Sequence, residues 1–196
     1  MTMYTLLAAI VAAISSLYAV RKTKELGEKN IEILEKRMLI DTVSAQRIEW
    51  INNIRKDFVE FNSSCHNFSL KMIQIDRQGN KGDISAEDYL IIEKHKNQIE
   101  LSLNPSEIFT AKLIEWLQMM YDGLVNEPQN LARYNEARKF IIFLQQVILK
   151  AEWQRIKRET EKGRQLNEKE VEDVFKITAV HINNKLYVDL ITYRHP

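Results

Sequence analysis

Apolar residues open this chain as one block and then thin into stripes. Tyr4 to Val20 form an uncharged run of 17 residues, the short end of the about 17–25 that cross a bilayer as a helix. Arg21, Lys22 and Lys24 follow at once, so the positive-inside bias predicts an N-terminus outside and a chain that continues in the cytosol. Tyr4 and Tyr18 stand near the two edges, where head groups would lie. A cleaved secretory signal wants a basic segment ahead of the apolar stretch, and there is none. Inside the run Thr5, Ala8, Ala12, Ser15 and Ala19 share one helix face. Small residues in a stripe let helices approach closely in lipid, which makes these five the candidates for membrane self-association.

Beyond the run, residues 21–40 read as a mixed-charge stalk with Ile31, Leu34 and Met38 on one side. Near Asp41 the apolar face changes side. Ile51, Ile54, Phe58, Phe61, Cys65, Phe68 and Met72 then recur at alternating spacings of three and four, the pattern of a helix packed in a bundle or coiled coil. A polar stretch from Arg77 to Asp83 interrupts it. Ser85 with Asp88 three residues on opens a second helix as a capping box. Asn104-Pro105-Ser106-Glu107 signals a third helix start, with Phe109, Leu113, Trp116, Leu117, Met120 and Leu124 as its core face, ending near Pro128. A fourth helix runs from about Leu131 to Gly163. It carries two apolar stripes, Tyr134-Ala137-Ile141-Leu144-Ile148-Ala151 and Leu131-Ile142-Leu149-Trp153-Ile156, so it is either central to the bundle or an interface. The tail from 164 has Val/Ile/Tyr-rich runs, Ile177–Ile182 and Leu186–Ile191, on either side of Asn183-Asn184, which predicts a tight β-hairpin, with a fully helical tail as the alternative.

The fold class expected is therefore mainly α: an anchor over 1–20, a stalk over 21–40, a cytosolic bundle of about four helices over 41–163, and a C-terminal extension over 164–196 with a hairpin. Composition agrees, since five Gly and three Pro are too few for a turn-rich β fold. A formal net charge of +1 argues against a general electrostatic binder of nucleic acid. Cys65 is the single cysteine and has no internal partner; on its stripe it reads as a small buried apolar residue.

Chemistry is scarce. The histidines, His66, His95, His181 and His195, form no Glu-x-x-His or His-x-x-x-His pair, and no phosphate loop, nucleophile elbow or zinc spacing appears. No catalytic residue, cofactor or metal site is assigned. Arg47 lies on the bundle-facing stripe just before Ile51, with Trp50 beside it. A long Arg there packs its stem and pairs its head with a carboxylate of a neighbouring helix, or else contacts a partner. The charge-mixed run Lys150–Arg164 reads as a solvated helix face.

Gln46-Arg-Ile-Glu-Trp50-Ile-Asn-Asn-Ile-Arg55, Leu103-Asn-Pro-Ser-Glu107 and Leu149-Lys-Ala-Glu-Trp153-Gln-Arg-Ile-Lys157 resemble elements of a poorly characterised bacterial family. Its members look like single-pass membrane-anchored α-helical proteins. The likeness covers residues 4–162, and the tail from Arg164 lies outside it. It implies a location at the bacterial inner membrane and a helical fold, and brings no activity. Arg47, Trp50, Arg55, Trp153 and Arg155 are the positions its motifs single out, as partner contacts or structural polar contacts. The expectation is a non-enzymatic, membrane-tethered interaction or scaffold protein, a homo-oligomer with the lipid bilayer and an unidentified cytosolic protein as partners, within an antiphage system. The alternative is a membrane-perturbing effector whose anchors oligomerise on a cytosolic signal.

Overall fold

The computed structural model describes residues 3–78, 84–125 and 131–193, without the side chains of residues 5, 6, 8, 9, 78 and 131. Five helices follow in order, α1 (Met3–Gln78), α2 (Ala86–Ser102), α3 (Ile108–Val125), α4 (Leu131–Lys162) and α5 (Glu168–Thr192), with no strand among the described residues.

Each start and stop has a local cause. The Ser85 side chain accepts from the Asp88 N–H while the Asp88 carboxylate accepts from the Ser85 N–H, a complete capping box for α2. Ahead of α3 the Asn104 side chain accepts from Ser106, and α3 itself starts one turn later, at Ile108. Gly163, with φ of 62°, ends α4. Its N–H donates to the Thr160 carbonyl and that of Arg164 donates to the Glu159 carbonyl, the two bonds of a Schellman motif.

Helix α4 is the axis of the bundle and packs against α1, α3 and α5, with α2 bridging α1 and α3. Its first stripe is buried from Tyr134 through Ala151, and Ile142 and Leu149 are half-buried. The facing stripes are buried too: Ile51, Ile54, Phe58, Phe61, Cys65 and Phe68 from α1, and the six core residues expected of α3. Trp116 stacks on Phe140 at 4.4 Å between ring centroids and is 1% exposed. Burial pushes the Cys65 thiol pKa up, so Cys65 is a packing residue.

Two expectations are corrected here. The C-terminal hairpin is helix α5. Val174, Phe175, Thr178 and Ala179 are buried together, a 3.6-residue period that wins over β-propensity because these positions face α4. Asn183 has φ of −162° and ψ of 96°. A type I′ turn needs positive φ, and no non-glycine residue has it among those described. Asn183 instead accepts from the Leu186 N–H with its own side chain and so restarts the helix after a kink, as an N-cap does.

The second correction concerns the membrane span. Among the described residues no helix is long and apolar enough to cross a membrane. The uncharged run Tyr4–Val20, 17 residues, covers about 26 Å at 1.5 Å per residue, short of the about 30 Å of a hydrocarbon core. It passes without a break into Arg21, Lys22 and Lys24. Placement as a single-pass inner-membrane protein with its N-terminus outside is overturned by this. Of the self-association candidates, the Thr5 and Ala8 side chains lie outside the described residues; Ala12, Ser15 and Ala19 are exposed. The Ser15 hydroxyl donates to the Val11 carbonyl at 2.8 Å within its own helix.

Helix α1 instead forms an arm. Every described residue from 3 to 39 is exposed, Gly27 alone being intermediate, and the first buried residue is Ile40. The arm extends about 55 Å from the bundle at 1.5 Å per residue.

Candidate functional site

Three of the five polar candidates meet where α1, α2 and α4 converge. Arg47 Nε lies 3.1 Å from Glu152 Oε2, and its Nη1 donates to Glu159. Arg155 Nη1 lies 3.2 Å from Glu152 Oε1, and its Nε 3.2 Å from Glu159 Oε1. Glu159 also accepts from the Leu166 N–H at 3.1 Å, which ties the α4–α5 connection to α1. Trp50 donates its indole N–H to the Ser102 carbonyl at 2.9 Å, holding the end of α2. Glu107 stands 3.9 Å from Arg155 at the rim.

This cluster is dry. The Glu159 side chain is 2% exposed and that of Glu152 7%. Burial raises the Glu152 carboxyl pKa above its ordinary value, against the opposing charges of Arg155 and Arg47. Burial also opposes ionisation of Glu159, but the Arg47 hydrogen bond, the Leu166 N–H and the charges around it together hold its pKa below the usual range. Around Arg155, burial works against the charge and the Glu152 and Glu159 carboxylates overcome it, raising its pKa. Two guanidiniums thus clamp two carboxylates from one face of α4. The run Lys150–Arg164 is therefore only partly the solvated face expected of it. The signal was present in the sequence: Glu152, Arg155 and Glu159 continue the apolar row through Ile148, three and four residues apart. Every cation here has its carboxylate, so the cluster is a structural lock between helices.

Arg55 and Trp153 lie elsewhere, across an open groove of about 870 Å³ between α1, α4 and the kink of α5. Ile48, Leu149, Trp153 and Ile182 supply apolar walls, and Arg55, Lys150 and His181 stand among them. Trp153 is 42% exposed and Ile48 36%. Among the described residues Arg55 reaches only Asn52, at 3.4 Å. Among the described residues no group of three His, Cys, Asp or Glu is placed to hold a metal ion.

The groove is continuous with the arm. Starting from Ile48 and stepping back by alternating three and four, one face of α1 carries Ala45, Asp41, Met38, Leu34, Ile31, Gly27, Lys24, Val20, Leu17, Ala13 and Ile10. Ile31, Leu34 and Met38 are 57–69% exposed. This a/d seam and the groove form one unpartnered surface. No protein-family model, curated protein or solved structure matches the chain.

Proposed function

We propose that the chain is a non-enzymatic interaction protein that self-associates through its α1 arm and presents the helical bundle as the unit it organises. The observation supporting this is the arm's seam: a 3.5-residue row that is apolar and exposed at Ile10, Ala13, Leu17, Val20, Ile31, Leu34 and Met38 and interrupted at Lys24 and Gly27. A helix that buries nothing along ten turns has no tertiary source of stability, and a sustained heptad is the repeat of paired helices. The locked bundle, with its paired ionic cluster, gives the arm a rigid base.

The test is the solution mass of the full-length chain beside an Ile31→Glu/Leu34→Glu variant, by sedimentation equilibrium. Both positions are more than half exposed, so the bundle folds in either protein. An oligomer that dissociates on substitution supports the reading. A monomeric parent chain, or an oligomer indifferent to the substitutions, sinks it.

A further inference from the structure

The seam has a polarity problem that a parallel, in-register pair of copies leaves in place and an antiparallel pair removes. With Ile10, Leu17, Lys24, Ile31, Met38 and Ala45 as a positions, the d positions are Ala13, Val20, Gly27, Leu34, Asp41 and Ile48. A parallel, in-register pair sets Lys24 against Lys24 and Asp41 against Asp41. It also places Gly27 opposite Gly27, where no side chain fills the space.

Running the second copy antiparallel changes each of these. Lys24 then lies over the second copy's Gly27, whose missing Cβ leaves open space, with nothing within 4 Å of where it would stand. Leu17 meets the second copy's Leu34, Val20 meets Ile31, and Ala13 meets Met38, so large residues face small or equal ones. At the flanking e positions, Arg21 comes beside the second copy's Glu28, an opposite-charge pair formed twice. Arg21 has no ion pair within its own chain among the described residues. The one polar residue left on an apolar level is Asp41, opposite Ile10.

The same register accounts for the groove and for the arm's tip. Met3 falls level with Ile48 of the second copy, where Leu149, Trp153 and Ile182 form the walls. A tip lying there touches both the second copy's α1 and its bundle, so it needs apolar groups on more than one face. The tip has them: Tyr4, Leu7, Ile10, Val11 and Ile14 are all large, apolar and more than half exposed. The middle of the arm carries the seam amid Lys and Glu, with Leu26, Ile33 and Leu39 exposed beside it.

We infer that two copies pair their α1 arms antiparallel, Lys24 over Gly27, with each tip seated in the other's groove beside Trp153. The two bundles then stand at opposite ends of the rod, roughly 45 Å apart along its axis between the two Ile40 residues at 1.5 Å per residue. This inference rests on self-association through the arm and adds its direction, register and second contact.

Cysteine cross-linking of the full-length chain separates the possibilities. Cys65 is 1% exposed and stays out of the reaction. Variants Leu17→Cys and Leu34→Cys are oxidised singly and mixed, and Met3→Cys with Ile48→Cys likewise. The inference expects a covalent dimer in each mixture and its loss in every single variant. Single variants that cross-link with themselves show parallel arms and overturn it. An oligomer by mass that cross-links in no combination also overturns the register while leaving arm-mediated association standing. A monomer by mass removes both.

Discussion

Arg47→Met tests whether the ionic lock holds α1 to α4. The substitution keeps a long unbranched stem to pack and removes the guanidinium that reaches Glu152 at 3.1 Å and donates to Glu159. Arg155 is left alone with two carboxylates whose side chains are 7% and 2% exposed. Removing one partner of a buried ionic group costs about 3–5 kcal/mol, because the remaining charge stays buried and under-compensated. That is a large share of the about 5–15 kcal/mol of a typical domain. Urea unfolding of the bundle at neutral pH, followed by tryptophan fluorescence and circular dichroism, reads it directly.

Acid gives the second, independent reading. Loss of Arg47 removes a charge that lowers the pKa of Glu152, already raised by burial, and two influences that lower that of Glu159. A carboxyl with a raised folded-state pKa binds more protons folded than unfolded between the two values, so stability falls as pH rises through that window. The deficit of Arg47→Met therefore shrinks as pH is lowered from 7 toward the ordinary carboxylate range. Adding Glu159→Gln to Arg47→Met recovers stability, whereas the same change in the parent costs it. A deficit under about 1 kcal/mol, the level of an exposed ion pair, refutes the reasoning. So does a deficit that acid leaves unchanged.

Two smaller changes probe the other local devices. Trp50→Phe keeps the ring and deletes the N–H that donates to the Ser102 carbonyl; the expected loss is about 0.5–1.5 kcal/mol in urea unfolding, with faster amide exchange at the end of α2. Asn167→Ala removes the cap whose side chain accepts from the Glu170 N–H at 2.9 Å, and is expected to cost about 0.5–2 kcal/mol. A neutral result there would mean that the Arg164–Glu170 pair fixes the start of α5 without the cap.

Much of the bundle was legible because local spacing and core burial coincide. The stripe from Ile51 to Phe68, the Ser85 capping box, the core face of α3 and the glycine stop of α4 each follow from residues within one or two turns. What failed depended on distant packing. Leu186–Ile191 has strand-like residues, and only packing on the bundle, with Tyr187 stacked on Phe109 of α3, decides for helix. The partners of Arg47 are more than a hundred positions away, Glu159 being 112 residues distant in sequence. No local pattern pairs them, although acidic residues on the apolar row of α4 marked the spot. The apolar N-terminal block pointed to lipid because its length approached that of a span. Apolarity on all sides also suits a helix end packed on two protein surfaces, and residue type alone does not separate the two.

The shift of face near Asp41 is the point where sequence and structure meet most closely. Inside the bundle α1 turns Ile40, Arg47, Ile51 and Ile54 toward α4, all buried or half-buried. The arm's seam, continued down the same stretch, runs through Asp41, Ala45, Ile48, Asn52 and Arg55, all exposed. The two rows are one residue apart, about 100° of rotation at 3.6 residues per turn. The bundle's row also continues into the arm through Ile33 and Leu26, seven and fourteen residues before Ile40 and exposed there, beside the seam. Two rows, each with its own alternation of three and four, are what a helix needs when it packs on its own bundle along one side and on another helix along the other. Residues 40–55 carry both rows at once, so a substitution at Ile51 should cost folding while one at Ile48 should cost association alone.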